Sequence, residues 1–255
     1  MLTNIIEIVI LSLIQGVSEF LPISSSAHLV VVSTLYEFKS SSLIIDVSLH
    51  LGSLMAIIFF FRKELIDLKN NQKLLLLMIF GSIPLIIVGY ILYKTELIYV
   101  LRDIKIIAWT TLIFGIILYF SDKNRFDKKI SSNLNLKIIL YIGLFQILAL
   151  IPRVSRAGIT ITAARIFKFN RFDSSKISFL LAIPALSGAS VLGLKDIINQ
   201  SFEFNYLMFI AITLSFLSSY FTVKFFLKYI NKFSLSIFVV YRVVVAIILF
   251  IIIYN

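Results

Sequence analysis

Six stretches of the chain are apolar enough and long enough to cross a bilayer core, which is about 30 Å thick and takes about 20 helical residues. They lie at 43–61, 74–93, 104–120, 177–194, 206–227 and 235–254. Two further regions, 4–36 and 137–167, are apolar at both ends but are broken in the middle by proline and by polar clusters. The first cluster reads QGVSEFLPISSSAH at 15–28 and the second LALIPRVSRAGIT at 148–160. Backbone or side-chain polar groups left unsatisfied in hydrocarbon cost several kcal/mol each, so irregular segments of this kind are either paired inside the protein or line a wet cavity. The pattern therefore predicts two helix–break–helix hairpins that enter and leave by the same face, rather than two more crossings.

The same elements recur in the same order. An offset of 130 residues places Pro22 on Pro152, Ser25 on Ser155, Ala27 on Ala157, and the run 47–49 on 177–179. It also carries the span beginning at Leu74 onto 204 onward, and 106–120 onto 236–250. Each half, about 1–125 and 131–255, is then one re-entrant hairpin plus three transmembrane helices. Three crossings return the chain on the opposite side, so the second half is inverted relative to the first. The expected fold is an all-α polytopic membrane protein built as an inverted repeat, in one integral membrane domain over 1–255.

Composition agrees with that reading. Hydrophobic residues make up 60% of the chain and the mean hydropathy is +1.01, against the roughly 45–50% apolar usage of soluble domains. The absence of Cys excludes disulfides and thiolate metal sites. The N-terminal segment has neither a basic start nor a small-residue cleavage site, which argues against a cleaved signal peptide. A net charge of +11 invites a nucleic-acid reading, but the bases are concentrated in the loops at 62–73, 123–137, 165–176 and 228–232. The opposite side holds only Lys39, Lys94, Arg102, Lys105 and Lys195. By the positive-inside rule the first set is cytoplasmic and both termini face outward. Anionic headgroups answer the excess charge, and no nucleic-acid partner is required.

Four cations escape that tally. Lys224 is near enough to a helix end to snorkel, whereas Arg153, Arg156 and Arg242 sit in apolar surroundings, where a charge costs about 2.5–3.5 kcal/mol even on lenient scales. They call for anionic partners on the protein or on a ligand. The two broken regions supply an acid (Glu19), an imidazole (His28), a run of hydroxyls (Ser24, Ser25, Ser26) and the arginines. A guanidinium fork suits phosphate oxygens, and helix starts favour anions, so a phosphate is the expected ligand. Glu19, with Gln15 one helical turn before it, can offer oxygens to a hard divalent cation such as Mg²⁺. His28 follows Ser24 and Ser25 at helical spacing, as a base follows a nucleophile, although an N-cap at Ser24 explains that serine equally well. Asp46 and His50, one turn apart, read as support for the hairpin or as pore lining.

These residues carry a family resemblance along the whole chain. Gln15 and Glu19 lead into Pro22, Ser24, Ser25 and His28, and Pro152, Ser155, Arg156 and Thr160 form a second motif; SFLLAIP at 178–184 and the intramembrane Tyr241–Arg242 pair extend the likeness. The chain resembles the undecaprenyl-pyrophosphate phosphatase family of bacterial inner membranes, the bacitracin-resistance proteins. That family's second motif is Pro-Gly-X-Ser-Arg-Ser-X-X-Thr, so Arg153 stands here in place of its Gly and Ala157 in place of its last Ser. The resemblance implies a plasma-membrane hydrolase that cuts undecaprenyl diphosphate at a site opening to the outer face. Its implied catalytic set is Glu19, Ser25, His28 and Arg156. The implied substrate-binding set is Ser24, Ser26, Ser155, Gly158, Thr160 and Arg242. Gln15 and Glu19 are the implied ligands of a divalent cation, Mg²⁺ or Ca²⁺. Ser25 is the favoured nucleophile with His28 as base; direct attack by His28 and water activation by it stay open. The partners are a polyprenyl diphosphate, the bilayer and, as an open alternative, a second copy of the chain. A lipid-phosphate flippase remains the alternative function, while a cation channel lacks any ring of acids or filter-like run.

Overall fold

A computed structural model describes residues 2–38, 40, 42–95, 104–198 and 206–254. Lys39 and Arg102, two of the sparse cations on the expected outer side, lie outside the described residues. Helices α1 (Leu2–Ser18) and α2 (Ser25–Leu35) flank the first polar cluster. They are followed by α3 (Leu43–Phe60), α4 (Arg62–Ile66), α5 (Leu68–Thr95), α6 (Ile104–Asp122) and α7 (Ile130–Asn133). The second broken region is α8 (Leu136–Ile147), a 3-10 turn at Leu148–Leu150, and α9 (Arg156–Ile166); α10 (Arg171–Ile198), α11 (Tyr206–Ile230) and α12 (Ser236–Tyr254) complete the chain. Among the described residues no strand forms, and an isolated bridge joins Lys128 to Phe169.

Among the described residues, helices α3, α5, α6, α10, α11 and α12 are the six that are long and apolar enough to cross a membrane, and they coincide with the six apolar runs. Two begin earlier than the hydropathy pattern indicates. Helix α5 starts at Leu68 and α10 at Arg171, because Asp67 Oδ1 accepts from the Asn70 N–H at 3.3 Å and Asn170 Oδ1 from the Asp173 N–H at 2.8 Å; hydropathy marks where a helix meets oil, not where it is capped. Side-chain caps fix other starts: Ser42 accepts from the Ile45 N–H at 3.4 Å and Asn135 from the Ile138 N–H at 3.0 Å. Ile247, Ile251 and Ile252 of α12 project outward, as lipid-facing positions do.

The arms of the two broken regions are seated crosswise. Helix α1 packs on α11, and α8 packs on α5. Both contacts are glycine-mediated close approaches: a Cβ on Gly16 would lie 2.4 Å from Ser218 Cβ, and one on Gly143 would lie 2.1 Å from the Gly81 carbonyl oxygen. Small residues at such crossings let backbones meet where no hydrophobic drive separates helix from lipid. Between α3 and α11, Ser53 bonds Ser215 at 3.2 Å and Ser219 at 2.9 Å, and Ser215 donates to the Leu49 carbonyl at 2.7 Å.

A buried charge cluster locks the other end of the bundle. Asp122, at the close of α6, meets Arg165 Nε at 3.1 Å and Arg171 Nε at 2.7 Å, and accepts from the Leu235 N–H at 2.9 Å. Arg165, which the loop tally treats as a solvated cation, is fully buried in α9. Removing one partner of a buried pair leaves an uncompensated charge, at about 3–5 kcal/mol. Asp122→Ala therefore lowers stability by about that amount, read as an earlier unfolding midpoint of the detergent-solubilised protein.

Candidate active site

The first tip follows directly from the end of α1. The Glu19 N–H still bonds the Gln15 carbonyl at 2.9 Å, so Glu19 keeps its helical place above Gln15 while the chain turns through Pro22. Ser24 then adopts a left-handed conformation, φ 75, and α2 starts at Ser25. The second tip repeats this form. Ser155 is left-handed, φ 70, and its Oγ caps α9 by accepting the Gly158 N–H at 3.1 Å. Arg153 is also left-handed, φ 70. Each such non-glycine residue costs about 1–2 kcal/mol, and strain of this kind gathers where structure over-determines it. The two capping serines lie one residue further apart than the offset at which the prolines coincide. Ser24 thus corresponds to Ser155, and Ser25 to Arg156.

That correspondence is chemically informative, because the first residues of α2 and α9 bind the same carboxylate. Ser25 Oγ donates to Glu19 Oε2 at 2.7 Å, and Arg156 Nη2 donates to Glu19 Oε1 at 2.7 Å. Glu19 is buried, 8% exposed, and lies between two helix starts whose dipoles favour negative charge. Gln15 Nε2 adds contacts to Glu19 Oε2 at 3.1 Å and to His50 Nδ1 at 2.9 Å. His50 therefore braces the hairpin, as its place in α3 indicated. Arg156 is held further by the Ser178 carbonyl at 3.2 Å and lies over the Phe20 ring at 5.9 Å.

His28 takes a different arrangement from the one its spacing suggested. Its Nδ1 faces the Ser24 carbonyl at 2.7 Å, and since a carbonyl only accepts, Nδ1 carries the proton. Nε2 is then the acceptor for the Tyr241 hydroxyl, and the two rings stack with centroids 5.7 Å apart. Ser25 and His28 share no hydrogen bond; the hydroxyl of Ser25 belongs to Glu19. Tyr241 entered the sequence reading only as part of the family likeness. Its signal was a phenol beside an intramembrane arginine in an otherwise apolar stretch of helix.

The remaining candidates divide into those that reach the cluster and those that build its frame. Arg242 is 2% exposed and meets no carboxylate among the described residues: it donates to the carbonyls of Thr111 at 3.2 Å, Val154 at 2.9 Å, Pro22 at 3.5 Å and Arg153 at 3.2 Å. It thus ties both tips together through their backbones. Gly158 leaves room for that guanidinium, since a Cβ there would lie 3.2 Å from Arg242 Nη1. Thr160 is fully buried and its hydroxyl meets Ser178 Oγ at 2.6 Å and the Arg156 carbonyl at 2.8 Å. Ser155 Oγ also reaches the Leu21 carbonyl at 3.5 Å, and Ser26 is exposed on α2.

As a cation site, the cluster offers one carboxylate and one amide. Among the described residues no group of three or more His, Cys, Asp or Glu comes together. Gln15 Oε1, however, is buried without a hydrogen-bond partner. An orphaned amide oxygen beside a carboxylate fits a hard divalent ion that takes its other ligands from water and substrate phosphates.

Fold and site together define a multi-pass membrane protein whose polar chemistry is gathered where two helical hairpins meet. The family described as bacitracin resistance protein BacA matches residues 8–248, and the chain belongs to that family. It is 74% identical to the undecaprenyl-diphosphatase of Pelagibacter ubique (strain HTCC1062), over all of both chains. It is 39% identical to the protein of the same name from Elusimicrobium minutum (strain Pei191), over 96% of this chain and 97% of that one. The corresponding protein of Saccharophagus degradans is 37% identical over 94% of each chain.

Proposed function

We propose that this chain is an integral membrane phosphatase that hydrolyses undecaprenyl diphosphate to undecaprenyl phosphate and inorganic phosphate, recycling the lipid carrier of cell-wall synthesis. The observation that carries the reading is the Glu19 carboxylate, shared at 2.7 Å by Ser25 and Arg156 from two hairpins. It accompanies full-length likeness to proteins of that name.

Phosphoryl transfer asks a protein chiefly for positioning and charge neutralisation. Arg156 turns its fork from Glu19 onto the terminal phosphoryl group, helped by the start of α9. Ser25 Oγ attacks that phosphorus while its proton passes to Glu19 Oε2; the bond to the bridging oxygen breaks and the prenyl monophosphate leaves. Water then cleaves the phosphoserine, its proton going to His28 Nε2 once Tyr241 yields that acceptor. Both nitrogens of His28 are engaged in the resting site, which favours it as a base over it as a nucleophile. A divalent ion held by Glu19 and Gln15 would neutralise diphosphate charge. Tyr241→Phe keeps the ring stack but removes the hydroxyl that helps aim the imidazole, leaving the Ser24 carbonyl to orient it, so turnover falls about 10-fold, measured as the rate of phosphate release.

We place the protein in the bacterial plasma membrane as an inverted repeat with re-entrant hairpins, its site opening to the outer face. The support is the crosswise seating of α1 on α11 and α8 on α5 and the shortness of α2 and α9. Each return arm has 11 residues, about 16 Å of helix, or half a bilayer core. The basic loops on the opposite side give the orientation. The test is phosphate release from a prenyl diphosphate by the purified protein in detergent. Release supports the reading, whereas a flippase of the same architecture would release none.

A further inference from the structure

We infer that Arg153 is a substrate-anchoring residue peculiar to this form of the second tip, whose guanidinium takes the phosphoryl group of the diphosphate that is not attacked. The inference rests on the phosphatase reading and concerns a position where the family motif quoted above has Gly. Three observations meet there. First, the backbone at Arg153 is left-handed, φ 70, a conformation glycine adopts freely and arginine does not. A side chain tolerated at such a place is kept for what its far end does.

Second, the guanidinium has no hydrogen bond or ion pair among the described residues. The other arginines near it are committed: Arg156 to Glu19, and Arg242 to four carbonyls. A half-buried cation deep in an apolar protein needs an anion, and the described residues supply none. Third, its surroundings are those of the site. The Arg153 carbonyl is fastened to Arg242 Nη2 at 3.2 Å, which fixes where the side chain departs. The titratable groups it acts on are His28 and Tyr241, the stacked pair at the first tip. Arg153 and Arg156 thus bracket one short tip with two guanidiniums. Two guanidinium forks carried by one tip suit two linked phosphates better than one.

The test compares wild type with Arg153→Gly and Arg153→Lys. Steady-state cleavage of a prenyl diphosphate is measured beside calorimetric binding of a non-hydrolysable prenyl methylenediphosphonate and of inorganic phosphate. Loss of a contact made equally in ground and transition states raises KM and spares kcat. Arg153→Gly is expected to raise KM about 10-fold with kcat within about threefold. It should weaken the diphosphonate about 10-fold and inorganic phosphate, which stands for the attacked group and lacks the one Arg153 holds, less than about twofold; the lysine variant recovers part of the loss. The unfolding midpoint of the glycine variant should not fall. Unchanged KM and diphosphonate affinity, or equal weakening of both ligands, would overturn the assignment while leaving the phosphatase reading intact. If wild type itself releases no phosphate, that reading fails instead, and the two binding measurements still decide whether Arg153 anchors a diphosphate.

Discussion

Replacing Arg156 with alanine reduces phosphate release from a prenyl diphosphate by about 10³-fold or more, with the protein still folded and inserted. The magnitude follows from what the side chain does. Among the described residues it is the one guanidinium that touches the Glu19–Ser25 pair, and it is oriented by the Ser178 carbonyl and the Phe20 ring. Charge developing on the transferred phosphoryl oxygens in a water-poor site has few other answers. Positioned arginines in phosphoryl transfer are worth about 10³–10⁵ in rate. Arg156→Lys keeps the charge but loses the fork, so it recovers only part of the loss. The rate is measured by phosphate release, with gel filtration and thermal unfolding to show that each variant is intact.

Glu19→Gln follows in size, with an expected loss of about 10²–10³-fold. The amide occupies the same space and can still accept the Ser25 hydroxyl, but it cannot take the proton and carries no charge for Arg156. The change leaves a nearly buried guanidinium without its anion, so a lower unfolding midpoint should accompany the rate loss. A shift in that midpoint without a loss of rate would assign Glu19 a structural role only.

Much of the architecture was readable from the chain because hydrocarbon is an unforgiving solvent. A run such as 206–227 can be little but a crossing helix, and Pro22 and Pro152 amid polar residues can only interrupt one. The seating of α1 and α8 was less legible. Gly16 and Gly143 matter because of what lies across from them, Ser218 and Gly81, and no spacing rule names a partner in another helix. The Asp122 cluster escaped for the same reason, since Arg165 and Arg171 reach it only through the tertiary fold.

At the site, several residues singled out in the sequence come together, but they pair differently from what their spacing suggested. Ser25 and His28 look like neighbours at helical spacing. Ser25, however, is the first residue of α2 and is presented to Glu19, while side chains on a helix lean toward its N-terminus, which carries His28 back to the Ser24 carbonyl. The offset of 130 was one residue short of the match between the capping serines, so it hid the equivalence of Ser25 and Arg156. Arg242 was legible as a buried cation in need of partners. That those partners are four backbone carbonyls, drawn from both tips and from α6, depends on the fold.

The most direct test of the account is a double-mutant cycle on phosphate release with Glu19→Gln, Arg156→Ala and the two combined. Residues that act as one unit are strongly non-additive. If the two hairpins build a single site around this contact, the double variant is no slower than the poorer single variant, within about threefold. Losses that multiply, so that the double variant falls by the product of the two single effects, would show that Glu19 and Arg156 work independently and would contradict the shared site.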